Sequence, residues 1–203
     1  MKTLVPRFLM AALLSSLCLF SAKANLILKL DNVYGYEGQE GAPADLNPSA
    51  TVLSEWLIGS TGLKDLYKGE TGGEVINLDL SGSYETSFSS GNETATITYT
   101  GGEIPGGYVF ALAKDGASHH PVWYVWYLSG PALSGGTSLG WDGVTALEFA
   151  QLWADAGAIS HVQLMGTDTR IPPSVVVVPD GGATAALLGL GMLGLGLVTR
   201  RKV

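Results

Sequence analysis

Glycine punctuation constrains this chain more than any other feature. Thr71-Gly72-Gly73, Ser81-Gly82, Gly101-Gly102, Gly106-Gly107, Asp115-Gly116 and Gly135-Gly136 divide residues 25–171 into short pieces. Between and around these breaks lie residues 26–30, 75–80, 95–99, 108–112, 122–128 and 159–164, rich in β-branched and aromatic side chains and in several cases alternating apolar with polar. Glycine interrupts helices, whereas a strand needs only a few residues, so the pattern predicts many short strands. Such strands bury their apolar faces by stacking two sheets. The expectation is a mainly β fold, an antiparallel β-sandwich or jelly roll. One short helix is predicted, with Asn47 as its cap, Pro48 at its first position and Val52, Trp56 and Leu57 on one face.

Charge separates this body from its ends. Residues 25–182 hold all 18 Asp and Glu but only five of the 11 Lys and Arg (Lys29, Lys64, Lys68, Lys114 and Arg170), five minus eighteen, or −13. So acidic a body repels phosphates, which argues against nucleic acid as a partner, and it suits cations or neutral glycans. The one cysteine, Cys18, lies in the apolar leader, so a processed chain carries no thiol for a disulfide or a nucleophile. Leu17 rather than a small residue precedes Cys18, which argues against lipidation there.

Both ends read as membrane-directed. Residues 1–24 form a signal peptide: Lys2 and Arg7 are its basic start, residues 8–20 its apolar run, and Ala22-Lys23-Ala24 a small-x-small site for signal peptidase, with cleavage after Ala24. An uncleaved anchor is the alternative, but the run is short for spanning a bilayer. At the other end, residues 183–198 are sixteen consecutive uncharged positions, followed by Thr199 and the basic stop Arg200, Arg201 and Lys202. As a helix that run reaches about 24 Å, so a transmembrane helix over 183–199 is marginal but workable. The basic tip at 200–203 is expected to stay cytoplasmic, placing the body outside the inner membrane. Pro172, Pro173 and Pro179 predict an extended Pro/Gly linker over 172–182.

Val178, Pro179, Asp180, Gly181 and Gly182, then a Gly- and Leu-rich span, then Arg200-Arg201-Lys202, resemble the C-terminal sorting signal of PEP-CTERM proteins, in the variant whose motif reads Val-Pro-Asp-Ser-Gly. Gly181 stands where that variant has serine. The resemblance implies that an exosortase, an integral membrane cysteine protease, cuts near the motif and that the product reaches the cell surface or the exopolysaccharide matrix. A single-pass anchor without processing is the alternative. In the body, Ala113-Lys114-Asp115-Gly116, Pro121-Val122-Trp123-Tyr124, Leu139-Gly140-Trp141-Asp142-Gly143 and residues 157–162 resemble domains often found ahead of such signals, which names no activity.

Chemistry-bearing residues are sparse. His119, His120 and His161 are the only histidines, and no Gly-x-Ser-x-Gly turn accompanies them. His119 and His120, just before Pro121, are expected in a loop, and His161 in the core or a turn. No calcium-loop spacing occurs among the carboxylates. Calcium is kept only as a weak option at Asp31, Asn32 or Asp142, and no other cofactor is expected. Trp123 and Trp126 fall on opposite faces of one strand, so whichever faces outward, with Tyr124 or Tyr127, is the expected glycan-contacting surface. The preferred function is a non-enzymatic surface or matrix protein; a surface-anchored carbohydrate-binding module is the second reading and a secreted hydrolase the third.

Overall fold

A computed structural model of the chain describes residues 24–73, 76–116, 120–134, 136–153 and 157–172. The chain divides into two compact units, Met1–Ile171 and Pro172–Val203. Every element below belongs to the first. The expected signal peptide, apart from Ala24, and the expected helix over 183–199 lie outside the described residues. Among the described residues no helix is long and apolar enough to cross a membrane.

The fold is mainly β, with two sheets and one α-helix. In chain order the elements are β1 (Leu26–Leu28), a 3-10 turn (Leu30–Asn32), β2 (Gly35–Tyr36), α1 (Ala50–Ile58), β3 (Lys64–Glu70), β4 (Tyr84–Phe88), β5 (Ala95–Tyr99), β6 (Ile104–Asp115), β7 (Trp123–Ser129), β8 (Leu147–Phe149) and β9 (Ile159–Arg170). One sheet has the order β1-β8-β5-β4 and the other β2-β7-β6-β9-β3. Pairing is antiparallel except between β1 and β8, which run parallel with Leu26 opposite Leu147. This corrects the all-antiparallel expectation. The long excursion between β1 and β8 lets the first strand enter beside a distant partner in either direction, whereas a tight hairpin would force antiparallel pairing.

Alternation along β7 organises the interior. Trp123, Val125 and Tyr127 point to one side, and Tyr124, Trp126 and Leu128 to the other. The second set joins a cluster shared by both sheets, which includes Leu28, Ile97, Leu147 and Phe149 from the four-stranded sheet and Ala111, Val162 and Leu164 from the five-stranded one. The first set joins Phe110, Leu112 and Met165 under Leu53 and Leu57 of α1. At one edge the sheets come close: the Tyr67 and Thr86 hydroxyls lie 2.7 Å apart.

The helix starts later than predicted. Its cap is Ser49, whose Oγ accepts from the Val52 N–H at 3.4 Å, and the Ala50 N–H donates to Asp65 Oδ1 on β3. Asn47 and Pro48 precede it, the Asn47 N–H donating to Asp45 Oδ1. The buried face is Ala50, Leu53, Ser54 and Leu57, so Val52, 43% exposed, is not part of it. Gly59, at φ 66°, ends the helix in a left-handed conformation that costs glycine little.

Residues 75–80 were expected as a strand, but 76–80 form an irregular segment and turn that drives Leu80 into the core. The Ser81 hydroxyl accepts from the Leu78 N–H and donates to the Ile76 and Leu78 carbonyls. Local hydroxyl bonding of this kind competes with ladder pairing.

Candidate functional site

The sorting motif Val178, Pro179, Asp180, Gly181 and Gly182 and the stop Arg200, Arg201 and Lys202 lie outside the described residues, as does Ala22. What is described is how the body ends. From Ile159 to Gly166 β9 is largely buried, but none of the described residues 167–172 is buried, and Ile171 is 80% exposed. The last strand therefore runs out of the core before the proline-rich segment begins.

The four aromatic residues expected to face a glycan do not form an exposed surface. Trp123, Tyr124, Trp126 and Tyr127 are all buried, because the five-stranded sheet is covered on both faces. Three of the polar tips are engaged as well: Trp123 Nε1 donates to the Asp45 carbonyl, Trp126 Nε1 to the Lys29 carbonyl and Asn32 Oδ1, and the Tyr127 hydroxyl to the Pro131 carbonyl. The expectation assumed a sheet with one face open to solvent. A helix and loops that carry little strand signal close that face.

The two described histidines make scaffold contacts. His119 lies outside the described residues. His120 is exposed in the bend before Pro121, with Nδ1 2.9 Å from Glu37 Oε2, the same oxygen that accepts the Val122 N–H. His161 is buried on β9, opposite Glu70 on β3 and Lys114 on β6. Burial, and then Lys68 and Lys114, lower its pKa to about 3. Its Nδ1 lies 3.4 Å from Ser160 Oγ, but an imidazole so weakly basic is poorly suited to activate a hydroxyl at neutral pH.

The weak calcium option meets a difficulty at Asn32. Its carboxamide oxygen accepts from the Lys29 N–H and from Trp126 Nε1, and its nitrogen donates to the Ile27 carbonyl. Asp142 holds its own loop, accepting from the Val144 and Thr145 N–H groups and the Thr145 hydroxyl. Among the described residues no group of three His, Cys, Asp or Glu is placed to hold a metal ion.

A concave site does occur where the sequence did not direct attention. Beside α1 lies a groove of about 360 Å³ lined by Tyr34, Gln39, Glu55, Trp56, Leu133 and Ser134, among others. Trp56, half-buried on α1, packs edge-on against Trp123 at 5.9 Å. It lies so close to β2 that a Cβ on Gly35 would stand 2.3 Å from its ring, so glycine there lets the indole settle on the strand. Tyr34, just before β2, packs edge-on against Phe110 and Tyr127.

Residues 177–202 match the family model described as VPDSG-CTERM motif. The C-terminal sorting signal read from the sequence is thus present. It marks an exported, membrane-associated protein and implies processing by an exosortase-type enzyme in the membrane. No curated protein and no solved structure matches the chain.

Proposed function

We propose that this chain is a non-enzymatic surface or exopolysaccharide-matrix protein. Signal peptidase removes residues 1–24, the tail holds the body outside the cytoplasm, and an exosortase-type protease then cuts near Val178 to Gly182. The observation that carries this is the match over residues 177–202, where motif, uncharged span and basic stop follow one another at the C-terminal end of this sequence. The body is taken as a β-sandwich, supported by the cluster that draws side chains from both sheets. Its cysteine-free composition after leader removal suits an oxidising destination.

Mass spectrometry of the protein from membrane and medium fractions tests the proposal. The released form is expected to begin at Asn25 and to end within or near residues 178–182. With Asp180→Ala in the motif, a species keeping Val203 is expected to accumulate in the membrane. A wild-type chain that keeps Val203 in every fraction would establish the unprocessed single-pass anchor instead.

A further inference from the structure

Trp56 differs from the other four tryptophans. Trp123, Trp126, Trp141 and Trp153 each donate the indole N–H to a protein oxygen at 2.7–3.1 Å. Among the described residues the Trp56 N–H has no acceptor. No buried side-chain polar atom among the described residues lacks a partner, so this open donor reaches solvent. The Tyr34 hydroxyl is open in the same way, and both residues line the groove beside α1.

Tyr34 also lines a second depression of about 200 Å³ with Val33, Tyr127, Thr137 and Leu139, so the two hollows share one wall. A concave track with apolar rings and a few open polar groups fits a ligand that is itself two-faced. Pyranose rings have that character: C–H faces for aromatic stacking and hydroxyls for donors and acceptors. Trp56 and Tyr34 supply both rings and donors, while Gln39, Glu55 and Ser134 supply the polar edge. The rings are also held in advance, Trp56 between β2 and Trp123 and Tyr34 against Phe110 and Tyr127, which lowers the ordering cost of binding. Glu55 in the groove, within an acidic body, disfavours uronate or phosphate groups.

We propose that this double groove binds a neutral oligosaccharide segment, with Trp56 and Tyr34 as its stacking and donor residues. The identity of the ligand as matrix glycan rests on the destination proposed above; the site itself does not.

The full chain in a zwitterionic, sugar-free detergent would be titrated calorimetrically with cellohexaose, maltohexaose and N-acetylchitohexaose, with an oligogalacturonate as the acidic control. At least one neutral hexamer is expected to bind at least about tenfold more tightly than the uronate. Trp56→Phe, which keeps a ring but deletes the N–H, and Gln39→Ala are each expected to weaken binding about tenfold, as loss of a good polar contact does. Their melting temperatures should stay near that of the parent, and Tyr99→Phe on the four-stranded sheet should leave binding unchanged. Binding of none of the neutral hexamers, tighter binding of the uronate, or binding indifferent to both groove substitutions would overturn the proposal. The terminal masses of the sorting experiment do not depend on glycan binding, so either idea can fail without the other.

Discussion

The two faces of the five-stranded sheet are buried by different means. Its inner face meets another sheet, and the contact is continuous and apolar: Ala111, Trp126, Val162 and Leu164 against Leu28, Ile97, Leu147 and Phe149. Its outer face meets the nine-residue helix α1 and loops. Such a helix is about 13 Å long, whereas five strands span roughly 19 Å, so the helix cannot cover the face alone. Loops complete the cover, and at its margins the sheet's own strands keep polar residues. Asp65, His161 and Gln163 all lie on this side, with Gln163 Nε2 3.3 Å from Asp65 Oδ1, and so does the Trp56 groove. The cover of helix and loops thus leaves a groove, a carboxyl and an imidazole on the outer face.

If the faces differ in this way, the largest loss should follow damage to the inner one. Trp126→Ala removes a fully buried indole and the bonds its N–H gives the Lys29 carbonyl and Asn32 Oδ1, each of which keeps one backbone donor. A cost of about 3–5 kcal/mol is expected in urea unfolding. A loss below about 1 kcal/mol would mean that the sheets do not pack as described.

Acid should act next, and through the outer face. His161 has its pKa lowered to about 3, first by burial and then by Lys68 and Lys114. Between about pH 6.5 and 3 the unfolded chain therefore binds a proton that the folded chain refuses, so stability falls as the pH drops through that window. From pH 6.5 to 4.5 this contributes on the order of 2–3 kcal/mol. Below its unfolded value of 4.5, Glu70 adds to the loss, because its hydrogen bond to Lys68 lowers its pKa. Asp65 opposes: burial raises its pKa, so the folded state takes up that proton more readily. The melting temperature should fall between pH 6.5 and 4.5, and His161→Gln should flatten that segment. An unchanged slope in the variant would clear His161 of the effect.

How much could be read in advance follows the same division. The runs 95–99, 108–112 and 159–164 appear as β5 and within β6 and β9, and 122–128 appears one residue later as β7, because strands of the double-covered sheet and its stacked partner carry dense β-branched and aromatic character. β3 and β4, Lys-Asp-Leu-Tyr-Lys-Gly-Glu and Tyr-Glu-Thr-Ser-Phe, are edge strands whose polar residues mask their pairing, and β2 and β8 are only two and three residues long. The sorting tail was legible because its three parts are contiguous in sequence. The groove was not, because Tyr34, Gln39, Trp56 and Leu133 come from three separate segments that only the outer cover brings together. Trp56 offered one signal, a large aromatic on the predicted short helix, but its open N–H emerges only from the fold.

The smallest effect should come from the helix start, and it probes how firmly the outer cover is held. Ser49 caps α1 through a long bond of 3.4 Å to the Val52 N–H, and Asp65 already takes the Ala50 N–H, so one of two caps is lost in Ser49→Ala. About 0.5–1 kcal/mol is expected, at the lower end for a cap. Asn47→Ala, by contrast, removes no side-chain bond to the helix and should change stability by less than about 0.5 kcal/mol. The same pair sharpens the contrast between the faces. With Ser49→Ala, amide exchange should quicken in Ala50–Ile58 before it changes in β6 or β9, since a cover held at its end opens locally while the stacked sheets stay shut. Equal acceleration in α1 and in the β5 amides would show instead that helix and sheets open as one cooperative unit, and that the outer face is no looser than the inner.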